Sequence, residues 1–240
     1  MHLEKQVITL AKSKKVVLFL VEGITDEISL ALVLSKIIEK DKLVRFKVIN
    51  GDITSEYGTN SINILNKITK VIKEFIDKDI YRKKDIQKVI HIIDTDGAYI
   101  DNQSIIQKDI DFIEYDMQNI FTKNIESIIK RNEQKRQVIN KLIGACYVYR
   151  DLPYEIYFFS SNLEHVLHND QNVIKDKKDA YAYEFADKFK EEPSKFIEFI
   201  NNKEFAVAGD YDDTWNFIKK DSNSLKRYTN FHLYINEIQC

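Results

Sequence analysis

The sequence predicts an α/β protein with a mostly parallel sheet flanked by helices and a C-terminal helical extension. Three observations favour this class. Short β-branched and aromatic runs alternate with segments whose apolar residues recur at helical spacing. Each of the first three runs ends in a polar turn with a glycine. Hydrophobic residues are 44% of the 240, enough for the core of one large domain, or of one domain with a small appendage.

The N-terminal half supplies the strand–helix alternation. The runs at 16–21, 45–50 and 88–93 are typical of buried strands. Thr25 or Asp26 can cap a helix between the first two, and residues 61–77 repeat Ile and Val at helical spacing. This order favours parallel strands joined by right-handed crossovers.

The C-terminal half is more helical. A helix is expected at 119–132, strands at 145–152 and 154–161, and a short helix at 162–168, with mostly helix from 180 onward. The polar stretch 169–180 is the one candidate boundary. We therefore expect an α/β domain over 1–170 and a helical extension, 171–240, packed on it.

Composition excludes several classes. Lys and Arg number 36 against 38 Asp and Glu, so a uniformly basic coat is excluded but a local basic face is not. With only Cys146 and Cys240, we expect neither a disulfide framework nor a cysteine zinc site, and a reducing cytoplasm fits. No apolar run approaches the ~18 residues of a membrane span, so no membrane partner is expected.

Carboxylates follow two of the predicted strands. Glu22 ends the first strand, and Asp94 and Asp96 end the third. Ligands of open parallel sheets bind at the carboxyl ends of strands, and residues two apart on a strand share a face. Close carboxylates repel unless a cation neutralises them, and an oxygen-only set suits Mg²⁺ or Mn²⁺. The same residues also fit ordinary turn chemistry, so a metal site is one of two interpretations.

Residues 18–27, with VEGITDE, and 90–97, with IIDTDG, resemble the Toprim family of topoisomerases, primases and nucleases over about residues 14–115. The resemblance implies a Toprim-like, Rossmann-like fold. It also implies a magnesium site made by Glu22, Asp94 and Asp96, in which the glutamate can serve as a general acid or base.

YFFSSNLEHVLHN, residues 157–169, resembles a strand–helix segment of RloB-like and OLD-type phage-defence Toprim proteins. It differs from their pattern at Leu163 and His165, where an aromatic residue and a tryptophan are expected. The resemblance implies that Glu164 is a further metal ligand or base, with His168 one turn on. The alternative is a capped helix with a surface Glu and His.

The strongest basic stretch is 123–141, with six cations against two carboxylates. It supplies the candidate nucleic-acid contacts Lys130, Arg131, Lys135 and Arg136, although lysine-rich helices are commonly just solvated faces. Residues 184–213 are acidic by contrast, and they could dock a partner protein.

The leading hypothesis is a metal-dependent nuclease of DNA or RNA. The resemblance implies an effector of bacterial antiphage defence. With no Walker motif in this chain, an ABC- or OLD-type ATPase partner would have to be another chain. One alternative is a haloacid-dehalogenase-type phosphatase with Asp94 as nucleophile, although Ala98 replaces the expected Thr and Glu22 is then unexplained. A non-catalytic binding module is the third hypothesis.

Overall fold

The architecture comes from a computed structural model that describes residues 14–38, 41–78 and 80–239. Cys240 lies outside these residues, and Cys146 is exposed. The strands are β1 (Lys15–Val21), β2 (Lys42–Val48), β3 (Ile86–Asp94), β4 (Ile105–Gln107), β5 (Glu114–Tyr115), β6 (Ile120–Thr122), β7 (Tyr147–Val148), β8 (Leu152–Ser160) and β9 (Tyr228–Thr229). The α-helices are α1 (Ile24–Ile37), α2 (Ile64–Lys78), α3 (Ile125–Ile143), α4 (Leu163–His168), α5 (Lys175–Phe189), α6 (Pro193–Ile200), α7 (Tyr211–Ile218) and α8 (Phe231–Glu237).

The main sheet has the order β2-β1-β3-β8-β7, and β9 also pairs with β8. The four strands β2, β1, β3 and β8 are parallel, whereas β7 and β9 run antiparallel to β8. The predicted α/β class with a mostly parallel sheet is therefore confirmed. The carboxyl ends of the parallel strands share one edge, where ligands of such sheets bind.

Each face of the sheet is covered by its own apolar cluster. Alternate residues of a strand point to opposite faces, so Val16, Leu18 and Leu20 of β1 pack with α2, α3 and α7 on one side. Val17, Phe19 and Val21 pack on the other side with α1, α5, α6 and α8. Burial on both faces explains why these strands are nearly continuous apolar runs.

A small second sheet, of order β4-β6-β5, lies after the third main strand. Its residues Ile105 and Ile120 form a separate apolar cluster with Ile128 of α3 and Leu225. This cluster joins the small sheet to α3, the helix that supplies two cations to the candidate site.

Two sequence expectations need correction. The helix expected at 119–132 is instead β6 followed by α3, because α3 begins after its cap Asn124, whose side chain accepts from the amide of Ser127. The strand expected at 145–152 is reduced to β7, because Tyr149 and Arg150 adopt positive φ angles of 45° and 79° that end a strand.

The C-terminal segment is part of the same structure as the sheet. Helix α5 begins at Lys175, inside the stretch predicted as a polar boundary, and packs on α1. β9 adds a strand beside the end of β8. Within the described ranges, no helix has the length and apolar character needed to cross a bilayer.

Candidate functional site

Carboxylates from different strands meet at the carboxyl edge of the sheet. Glu22 follows β1 directly, and Asp94 is the last residue of β3, which pairs with β1. The backbone amide of Asp94 donates to Oε1 of Glu22 over 3.3 Å. Two groups 72 positions apart are thus neighbours, as the parallel order predicts.

A loop fixed by hydrogen bonds presents Asp96. The amide of Asp96 donates to the carbonyl of Ser161 over 2.8 Å, and the amide of Gly97 donates to that of Ser224 over 3.1 Å. Asp96 and Gly97 have φ angles of 48° and 66°. A Cβ on Gly97 would lie 2.5 Å from Leu225 Cδ2, so both the backbone angle and the close packing require glycine.

Asp52 is a fourth carboxylate at this edge. The end of β1 is tied to the segment after β2, because the amide of Gly51 donates to the carbonyl of Glu22 over 3.0 Å. The side chain of Asp52 accepts from the amide of Thr54 over 2.8 Å and from the hydroxyl of Ser55 over 2.5 Å. Asp52 is therefore held in one orientation toward the sheet edge.

Helix α3 places a fully buried ammonium between two of the carboxylates. Lys135 Nζ lies 2.8 Å from Asp52 Oδ2 and 2.5 Å from Asp96 Oδ2. The side chain of Lys135 is 0% exposed, whereas Asp52 and Asp96 retain 16% and 22% exposure. Burial lowers the pKa of Lys135, but Asp52 and Asp96 outweigh it and leave this pKa well above its usual range.

Arg131, one turn before Lys135 on α3, supports the same loop. Its guanidinium donates to the carbonyl of Asp96 over 2.8 Å and to the hydroxyl of Tyr115 over 3.0 Å. The side-chain Nδ2 of Asn132 donates to the carbonyl of Gly97 over 3.4 Å. Two cations of α3 thus fix the turn that carries Asp96.

Burial and mutual repulsion act on the carboxylates that lack a cation. Burial, with Asp52 next in weight, raises the pKa of Glu22 well above its usual range. Burial and the Glu22 charge likewise raise the pKa of Asp94. Burial also acts to raise the pKa of Asp52, but Lys135 and the hydrogen bonds from Ser55 and Thr54 bring it well below its usual value. Glu22 and Asp94 therefore hold a proton more readily than Asp52 does.

Glu22, Asp94 and Asp96 line one cleft of about 670 Å³, together with Glu164. Glu164 of α4 is nearly buried, and its Oε1 forms an ion pair with Lys178 Nζ of α5 at 2.7 Å. The helix start that aims Glu164 is capped by Asn162, whose side chain accepts from the amide of His165 over 2.8 Å. The predicted site residue Glu164 thus faces the same cleft as the strand-end carboxylates.

The two histidines of α4 do not supply a ligand to this cleft. His168 stacks on Tyr181, with ring centroids 4.6 Å apart. His165 is buried, and its Nδ1 accepts from the amide of Ser161 over 3.3 Å. Both rings therefore serve packing and loop geometry.

The donor set fits a hard divalent cation in its chemistry. It offers only carboxylate oxygens, and the repulsion between buried Glu22 and Asp94 is of the kind a cation relieves. Among the residues that the structure describes, however, no three His, Cys, Asp or Glu side chains lie close enough together to hold a metal ion.

Two residues of the basic stretch have contacts inside the protein. Lys135 and Arg131 are engaged in the loop contacts described above, and a fully buried ammonium such as Lys135 cannot reach a nucleic-acid backbone. Lys130 is exposed and Arg136 is half-buried, so these two remain available for a surface contact.

Sequence reasoning missed Asp52, the site role of Lys135, and Lys178. Asp52 follows the second parallel strand in a Gly-Asp turn, which was the available signal. Lys178 lies in a charged stretch whose pattern gave no sign of its ion pair with Glu164.

No match to this chain emerges from comparison with protein-family models, curated proteins or solved structures.

Proposed function

We propose that this protein is a Mg²⁺- or Mn²⁺-dependent nuclease that cleaves phosphodiester bonds in DNA or RNA. The observation that carries the proposal is the meeting of Glu22 and Asp94, from neighbouring parallel strands, in the cleft that Asp96 and Glu164 also line. A set of carboxylates at this edge is the arrangement that a hard cation needs.

The residues of the chain have separable roles in this proposal. Glu22, Asp94 and Asp96 would hold the cation, which supplies activation of water and stabilisation of charge on the phosphodiester. Arg131 keeps the carbonyl of Asp96, and with it the loop, in place. Lys178 balances Glu164 across the cleft and keeps this carboxylate directed at the site.

Cations on the surface around the site can hold the substrate backbone. Lys175 is exposed and lines the same cleft, and Lys130 and Arg136 lie on α3 beside the residues that fix Asp96. Backbone contacts of this kind bind nucleic acid without reading its sequence.

The test is incubation of the full chain with single- and double-stranded DNA and RNA, with Mg²⁺ or Mn²⁺ and with a chelator. Asp94→Asn and Glu22→Gln should each lower cleavage at least ~100-fold, because each removes a cation ligand. Asp179→Asn and Glu126→Gln are matched controls on exposed helix positions and should cleave normally. Circular dichroism checks that all four variants are folded.

The alternatives give different results in the same experiment. A phosphatase with Asp94 as nucleophile would hydrolyse a small phosphate ester and would tolerate Glu22→Gln. A binding module would cleave nothing, and changes in 184–218 would abolish its association with a partner. Cleavage that persists in both Asp94→Asn and Glu22→Gln rules out the proposed nuclease site.

A place in bacterial antiphage defence, with an ATPase supplied by a separate chain, belongs to the same proposal and is supported by the phage-defence resemblance of residues 157–169. Its test is whether an ATPase co-purifies with this protein, and whether adding that ATPase with ATP increases the cleavage of nucleic acid.

A further inference from the structure

The buried ammonium of Lys135 has the surroundings of a metal ion. Its Nζ contacts one oxygen of Asp52 and one of Asp96, and the negative charge of Glu22 also acts on it. A cation removed from water needs carboxylates at this distance to offset its desolvation. The pocket between Asp52 and Asp96 is therefore built for one positive charge.

We propose that Lys135 is a built-in cation that takes the place of a second metal ion. The site then binds a single divalent cation, on its Glu22–Asp94 side, and a second one enters between Asp52 and Asp96 only when the ammonium is removed. This inference rests on the metal site of the proposed function.

The carboxylates of the site outnumber the cations beside them. Four carboxylates meet at the sheet edge, namely Glu22, Asp52, Asp94 and Asp96, and the charge of a fifth, Asp26, acts on Glu22 and Asp94. Lys135 and Arg131 supply two positive charges, and the neighbouring Glu164 is paired with Lys178. The site therefore lacks positive charge even with Lys135 in place, and a divalent cation would supply it.

The contacts separate the two sides of the site. Asp52 and Asp96 both contact the ammonium, whereas Glu22 and Asp94 contact one another through a backbone amide. The Glu22–Asp94 side, which the ammonium does not contact, is the one where the divalent cation is proposed to bind.

The test counts Mn²⁺ ions bound to the full chain, by titration calorimetry and by the electron paramagnetic resonance signal of unbound Mn²⁺. Wild type should bind one Mn²⁺ per chain, and Asp94→Asn should lose it. Lys135→Met, which keeps the length of the side chain but not its charge, should bind two. Lys135→Arg, which keeps the charge, should bind one, and Lys135→Met with Asp52→Asn should return to one.

Each departure from these counts has a definite meaning. Two ions in wild type overturn the inference while leaving the proposed nuclease site intact. No ion in wild type overturns both. One ion in folded Lys135→Met means that Lys135 only stabilises the loop, which also overturns the inference. Lys135→Met that folds only with Mn²⁺ supports it, and Lys135→Met that stays unfolded with Mn²⁺ shows that a divalent cation does not replace the ammonium.

Discussion

His91 lies in the middle of β3, fully buried, with its Nδ1 2.7 Å from the hydroxyl of Tyr154. Burial, the largest influence, lowers the pKa of His91 to about 4. The unfolded chain takes up a proton near pH 6.5, whereas the folded chain stays neutral down to about pH 4. The contribution of neutral His91 to the free energy of unfolding is therefore fully present above pH 6.5 and is lost as the pH falls toward 4.

We expect His91 to lower the free energy of unfolding by about 2–3 kcal/mol when the pH is reduced from 7.5 to 4.5. Urea unfolding of wild type and His91→Gln at both pH values measures it. The raised pKa values of Glu22 and Asp94 act in the opposite direction in both proteins, so the difference between them isolates His91. An equal loss of stability in the two proteins would contradict the prediction.

Gly97 is a second position where one residue decides the local structure. Gly97→Ala should destabilise the fold by about 2–3 kcal/mol, because it adds a positive-φ strain and a contact with Leu225. Gly58→Ala is the matched control: its φ is also positive, at 79°, but its Cβ would meet open space, so about 1 kcal/mol is expected. Denaturant midpoints measure the loss of stability in each variant. Equal losses in Gly97→Ala and Gly58→Ala would show that the close packing against Leu225 does not contribute.

At the scale of elements, α4 is short and depends on its cap. Asn162→Ala removes the acceptor for the amide of His165 and the amide donor to the carbonyl of Gln171, which should cost about 1 kcal/mol or more. Asn162→Ser keeps a capping oxygen and should recover most of the loss. Because Glu164 is in the first turn, the proposed nuclease activity should fall more in Asn162→Ala than in Asn162→Ser. Equal effects would mean that the cap does not position Glu164.

The parallel strands of the first half were predictable because they are buried on both faces, which leaves uninterrupted apolar runs such as VVLFLV. The meeting of Glu22 and Asp94 followed from that order. The pairing of Lys135 with Asp52 and Asp96 did not, because a lysine on a basic amphipathic helix has the same local pattern whether it faces solvent or a buried carboxylate. β6 and β7 are too short for a pattern of their own, and only their partners define them.

At the scale of the whole molecule, the last seventy residues complete one face of the sheet. Phe185, Phe196 and Phe231 from this segment pack against Phe19 of β1 and Phe159 of β8 in one cluster. A chain ended at residue 170 should therefore expose this face, bind a hydrophobic dye and lose cooperative unfolding, since about 25 cal/mol is lost for each Å² of apolar surface left in water. Cooperative thermal unfolding of the shortened chain would show that 1–170 folds alone.

Ser224 has a consequence for the order of events during protein synthesis. Its carbonyl accepts from the amide of Gly97 and from the hydroxyl of Thr95, and its own hydroxyl accepts from the amide of Tyr99. The turn that carries Asp96 is thus fastened by a residue that follows all four parallel strands in the chain. A nascent chain can therefore fasten this turn only after Ser224 has left the ribosome, so the cleft is completed later than the parallel strands that carry it.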